Sequence, residues 1–353
     1  MRWLHRWVGV TLALFIVLSA GSGALLLWSD EYSQWRYPSI RNNQGSTKPD
    51  ATVIQAVLAQ APGPVQTLGM PRPGLPVYHL YLKGGDQAYH SIADGSLIDT
   101  FGPLGRLPAV IFELHVDLFA GDFGHTLVGI LGLTVTGLLV TGVWIWWPRR
   151  RVLRLRRLLP KGTQLSLMNS HAAQGLLISV LVTFLALSGA AIVFHQESEA
   201  LLGRVLGSAV NTRPTVRTLA AEAGPVAWDR LLSASRTHLP SATLRYVSLP
   251  SQKDRPVVLR LRNAGELHPN GRSYLVLHPT SGEVLEVIDA TQTGLGPSVY
   301  NTLYPLHAGK TGWVGHRALL LVVALALTYV AIVGLLLFFR GRARRRRFRS
   351  ESH

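Results

Sequence analysis

Residues 171–195 read HAAQGLLISVLVTFLALSGAAIVFH, and this stretch decides the fold. Twenty-three uncharged residues lie between His171 and His195. At about 1.5 Å per residue a helix of this length reaches roughly 36 Å, enough to cross a hydrocarbon core of roughly 30 Å. Its apolar side chains run all the way round, which rules out an amphipathic surface helix. Three more stretches behave alike: Val8–Trp28, Thr126–Trp147 and Ala318–Phe339. All four begin at or just after a histidine.

Composition agrees with a membrane chain. Of 353 residues, 48% are hydrophobic and only 15% charged. There is no cysteine, so disulfides, iron–sulfur clusters, thiolate metal sites and covalently attached c-type haem are all excluded. The formal charge of +16 is confined to three places. Arg2 and Arg6 precede the first span. Arg149, Arg150, Arg151, Arg154, Arg156, Arg157 and Lys161 separate spans two and three. Arg340, Arg342, Arg344, Arg345, Arg346, Arg347 and Arg349 follow span four. If the spans alternate, the whole excess lies on one side, which places both termini in the cytoplasm and favours anionic lipid over nucleic acid as the partner.

The chain then divides in order. Residues 1–29 form span one, read as a retained anchor rather than a cleaved signal. Residues 30–106 are a first outer α+β domain, with a helix over Ala51–Ala61 and strands over Val77–Leu82 and Gln87–Ile92. Residues 107–147 are an interfacial helix and span two, 148–170 a basic cytoplasmic loop, and 171–195 span three. Residues 196–303 are a second outer α+β domain, with a helix over Trp228–Leu239 and strands over Thr243–Leu249, Val257–Leu261, Ser273–Leu277 and Glu283–Ile288. Residues 304–340 re-enter as span four and 341–353 are a basic tail. The expected fold is a membrane all-α four-helix bundle with two extracytoplasmic α+β domains. An internal two-fold repeat underlies it: His5, Gly9 and Ser22-Gly23 recur at the same offsets as His171, Gly175 and Ser188-Gly189, and Leu114-His115 and Gly124-His125 recur as Leu306-His307 and Gly315-His316.

Ionisable residues that face lipid are costly, so a repeated set of histidines at span ends points inward and binds something. His5/Gly9, His125/Gly129 and His171/Gly175 each put a glycine one turn beyond a histidine, on the same face. An imidazole there can reach an iron while the glycine leaves room for a flat macrocycle, and two histidines per iron make an electron-transferring centre. By topology His5 and His171 share the cytoplasmic side. On the outer side this spacing favours His125, with His316 as a weaker partner. Interfacial anchoring of the rings and plain helix packing at the glycines are the alternatives.

The segments LHRWVG (4–9), LHVDL (114–118), GHTLVG (124–129), WIWWPR (144–149) and LHAG (306–309) resemble the PepSY-associated transmembrane family, and within it the bacterial inner-membrane ferric siderophore reductases. The resemblance implies four spans, two PepSY-like periplasmic domains and b-type haem bound by membrane histidines, and the topology of the histidines leads to an expectation of two haems, one near each face. The resemblance places the haem iron on His5, His171, His115 and His307, and commonly has arginine where this chain has His125. His115/His307 and His125/His316 both stay open as the outer pair, the first ranked ahead. The implied activity is transfer of electrons from a cytoplasmic or membrane donor to a periplasmic ferric siderophore, releasing iron. The other reading is a non-enzymatic accessory or sensory membrane protein.

Overall fold

A computed structural model describes residues 1–41, 50–147, 158–206, 213–220 and 223–350. The expected loop at 42–49 and the arginine run 149–157 of the basic connection lie outside the described residues. In chain order the helices are α1 (Arg2–Leu26), α2 (Ser29–Arg36), α3 (Pro38–Arg41), α4 (Ala51–Ala59), α5 (Leu107–Val116), α6 (Gly121–Trp146), α7 (Gln164–Val193), α8 (His195–Leu206), α9 (Trp228–His238), α10 (Leu295–His307) and α11 (Val314–Ser350). The strands are β1 (Val65–Gly69), β2 (Val77–Leu82), β3 (Gln87–Ser91), β4 (Leu97–Phe101), β5 (Thr243–Ser248), β6 (Val257–Arg262), β7 (Ser273–Leu277) and β8 (Val284–Ile288). Two compact units result. One takes Met1–Leu27, Ile111–Glu197 and Leu306–His353, the other Trp28–Val110 and Ser198–Pro305.

The first unit is built on α1, α6, α7 and α11, each long and apolar enough to cross a membrane. The chain is a multi-pass membrane protein. Two helices start earlier than the hydropathy alone implies. α1 is already helical at Arg2, and α7 starts at Gln164, where the Thr163 side chain accepts a hydrogen bond from the Ser166 amide at 3.2 Å. His5 and His171 therefore sit inside their helices rather than at the caps. α1 packs beside α11 and α6, and α7 packs beside α6 and α11, so α1 and α7 stand diagonally across the bundle. Its middle is closed by an apolar layer of Ile16, Leu131, Val135, Ile178, Val182 and Val323.

The second unit is one antiparallel sheet in the order β4-β3-β2-β1-β5-β6-β7-β8. Each of the two segments between spans supplies a four-stranded meander, so both expected α+β regions are present. They are joined edge to edge where Leu68 of β1 pairs with Val247 of β5. On one face α4 and α9 bury Ile54, Val57, Leu231 and Leu232 against Leu68, Leu80, Leu259 and Leu275. Each such side chain contributes about 1.5–3 kcal/mol. The Asp50 carboxylate caps α4 by accepting from the Thr52 and Val53 amides. β1 lies within the Pro- and Gly-rich stretch between Pro62 and Pro76 that reads as turns. Pairing on both edges holds it extended where local sequence does not.

The opposite face is polar and aromatic. Tyr37 donates a short hydrogen bond to Asp99, and the His79 ring stacks edge-on against Tyr89 at 4.8 Å. Burial first, then the Arg106 charge, pushes the His79 imidazole down to about 3 from 6.5. The unfolded chain therefore takes up this proton before the folded one. The resulting stability is complete above about pH 6.5 and is lost as pH falls toward 3. Thermal unfolding from pH 7 down to pH 4 is expected to show a falling Tm, and His79→Gln to flatten part of that fall. An identical slope in the variant would assign the loss to other groups.

Candidate functional site

The bundle brings four histidines together as two pairs. The rings of His5 on α1 and His171 on α7 face each other across the diagonal with centroids 6.4 Å apart. Those of His115 on α5 and His307 on α10 are 6.2 Å apart. His115 and His307 lean on the C-terminal parts of α1 and α7, so the pairs lie at opposite ends of these helices. Seventeen residues separate His5 from Ser22, about 26 Å along α1.

Each ring is seated in the same way. His115 Nδ1 donates to the Ser19 carbonyl at 3.1 Å and meets Ser22 Oγ at 3.0 Å. His307 Nδ1 donates to the Leu185 carbonyl at 3.0 Å and meets Ser188 Oγ at 3.1 Å. The seat of His307 is thus the seat of His115 moved 166 residues along the chain. His171 Nδ1 donates to the Val330 carbonyl at 3.0 Å. His5 Nδ1 meets Thr141 Oγ1 at 3.0 Å, and because that hydroxyl donates to the Leu138 carbonyl, it accepts from the ring. A carbonyl can only accept, so Nδ1 carries the proton and Nε2 is left with its lone pair. Among the described residues nothing hydrogen-bonds to any of the four Nε2 atoms.

A glycine of a neighbouring helix lies against each ring. A Cβ placed on Gly23 would stand 3.1 Å from His115 Cε1, on Gly189 3.0 Å from His307 Cε1, on Gly142 3.2 Å from His5 Cε1, and on Gly334 3.4 Å from His171 Cε1. Larger residues there would push the imidazoles aside.

Among the described residues no three His, Cys, Asp or Glu side chains converge as a metal site, so the donors come as pairs. Pairs suit an iron whose other ligands come from a macrocycle. The centroid separations of 6.4 and 6.2 Å are compatible with one metal shared by the two rings of each pair. Protonated Nδ1 atoms tied to carbonyls and hydroxyls are also what a metal-ligating histidine requires around it. The donor set fits a bis-histidine haem.

The other expected residues fall elsewhere. His125 is exposed and its Nδ1 approaches only the Val116 carbonyl, at 3.3 Å, while His316 meets Thr311 Oγ1 of its own turn at 3.1 Å. No ring contact joins these two among the described residues. A Cβ on Gly9 would meet nothing within 4 Å and one on Gly175 only Val330 Cγ1 at 4.0 Å, so both leave the space the spacing argument asks for. Gly129 serves packing instead, since a Cβ there would lie 2.6 Å from Phe194.

The sequence profile of the PepSY-associated TM region matches residues 2–349. The chain belongs to the PepSY-associated TM family. Comparison with curated proteins gives no match. In this PepSY-associated TM protein the sequence pointed to all four paired histidines and to Ser22-Gly23 and Ser188-Gly189 as repeated marks, without their role as seats. Thr141, Gly142 and Gly334 went unnoticed. Their signal is a common offset: 192 residues take Gly142 to Gly334 and also His115 to His307.

Proposed function

We propose that this chain is a bacterial inner-membrane b-type haem protein that carries electrons across the bilayer and reduces a periplasmic ferric siderophore. His5 and His171 would hold one haem, and His115 and His307 the second. The observation that carries the reading is the pair of uncommitted Nε2 atoms at each end of the bundle, with every Nδ1 already bonded. Haem, when bound, supplies a reversible one-electron change at iron.

The chain's own residues do the rest. The Nδ1 bonds fix tautomer and ring direction and make Nε2 a better donor. With two imidazoles offered at each site, His5 with His171 and His115 with His307, a haem held there would serve electron transfer rather than substrate chemistry at its iron. The apolar layer around Ile16 and Ile178 keeps water out of the bundle between the two sites. The concentration of arginine beside the terminal ends supports a cytoplasmic location for them, so electrons would enter near His5 and His171 from a cytoplasmic or membrane donor. Reduction of Fe(III) to Fe(II) weakens binding by hard oxygen ligands and lets the chelate release its iron.

An absorption spectrum of the detergent-purified protein tests this directly. A Soret band and a sharp α band that appear on dithionite reduction are expected. A spectrum with neither would leave the second reading, a non-enzymatic accessory or sensory membrane protein. That reading is favoured by the family match, which carries membrane spans and PepSY character but no chemistry.

A further inference from the structure

In the sheet unit, β5 carries a bulge. Leu244 pairs with Leu261 and Tyr246 with Arg260, so Arg245 is the extra residue. Bulges re-aim side chains and recur beside functional sites. Arg245 is only 9% exposed; its Nε is enclosed without a partner, while its two Nη atoms make no hydrogen bond among the described residues and reach the surface. The cations that act on it are Arg262 and Arg72. Burial first, then Arg262 and Arg72, lowers its pKa. The carboxylates of the residues bonded to Arg72 and Arg262 are already engaged. Asp30 receives both Arg72 Nη atoms, at 2.6 and 2.7 Å. Glu266 accepts from the Asn263 and Arg272 amides and from Ser273 Oγ.

A guanidinium held partly out of water beside like charges and without a counter-ion is unfavourable unless something supplies the missing negative charge. Features that break a local rule this way are expected at functional sites. The flank is aromatic: the Tyr246 ring is 6.5 Å from Tyr81, and Arg260 lies 5.8 Å over Tyr246. Gly69 lets the Tyr246 ring lie close over β1, where a Cβ would stand 3.3 Å from its Cε1.

We propose that Arg245, backed by Arg262 and Arg72, is an anion-binding subsite of the sheet unit that takes the negatively charged oxygen groups of a small organic chelate, with Tyr81 and Tyr246 against its body. The subsite names the charge class of substrate for the proposed reductase, but it uses none of the membrane histidines, so its binding is separable from haem.

Citrate and gallium citrate serve as probes, because Ga(III) is not reduced under these conditions and binding can be read without electron transfer. Titrated into the full-length protein in detergent, both are expected to bind saturably, to weaken with added salt, and to lose about tenfold or more in affinity in Arg245→Gln. Arg236→Gln, an exposed position on α9, should bind as the unchanged protein does. Without ligand, Arg245→Met should raise Tm by about 2–4 °C, since it removes a charge that has no counter-ion of its own. Citrate should raise the Tm of the unchanged protein and not that of the variant. A lower Tm for Arg245→Met without ligand would make Arg245 structural and overturn the proposal. So would equal affinity in Arg245→Gln, an equal loss in Arg236→Gln, or no binding of either probe. His171→Ala protein should bind both probes normally, so a failure there and a failure of the haem reading are told apart.

Discussion

His171→Ala protein, inserted and stable, is expected to carry about half the haem of the unchanged protein, one equivalent instead of two. The remaining haem should still be reduced by a small reductant reaching the far side of the bundle, while electron entry from the terminal side stops. The loss should be this large because His171 gives one of only two donors from the chain at its site, and its ring is 6.4 Å from the other, His5. His5→Ala should do the same. Glutamine or tyrosine at position 171 separates this from interfacial anchoring: an anchor tolerates either, whereas neither restores a nitrogen donor. A His171→Ala protein with full haem content and an unchanged spectrum would remove the assignment.

At the other end of the bundle, His115→Ala and His307→Ala should each abolish the second haem, and His125→Ala and His316→Ala should leave it. The geometry behind this is the 6.2 Å approach of the first two rings, against an exposed His125 and a His316 bonded within its own turn. Gly189→Leu should reproduce much of the His307→Ala effect while keeping every donor, because even a Cβ at that position would lie 3.0 Å from the ring. Haem-to-protein ratio and the reduced spectrum decide all five variants. Loss confined to the His125 and His316 variants would move the second site to that pair.

The spans were legible because runs of twenty or more apolar residues have few other structures open to them. The histidines were legible because they recur at fixed steps, and Leu114-His115 with Leu306-His307 is the step whose two rings the fold brings together. Glycine spacing along one helix was a weaker guide. The glycines against the rings, Gly23, Gly142, Gly189 and Gly334, come from a different helix than the histidine they face, and periodicity within a helix does not reveal such a neighbour. β1 was hidden for a related reason. Its five residues sit between Pro64 and Pro71, and only partners at β2 and β5 make them a strand. Arg245 looked like any strand arginine, since a bulge is a property of two strands and not of one.

The seating of the rings has a consequence for how the protein is made. The first half of the chain holds His5 on Thr141 and Gly142, and His115 on Ser19, Ser22 and Gly23. The second half holds His171 on Val330 and Gly334, and His307 on Leu185, Ser188 and Gly189. Each half therefore positions two imidazoles with its own atoms and completes neither pair. A ribosome that has delivered only the first two spans has placed single, well-oriented imidazoles in the bilayer, and each waits for its counterpart from the later half. In this respect the chain resembles two half-molecules joined end to end, with both histidine pairs at the seam.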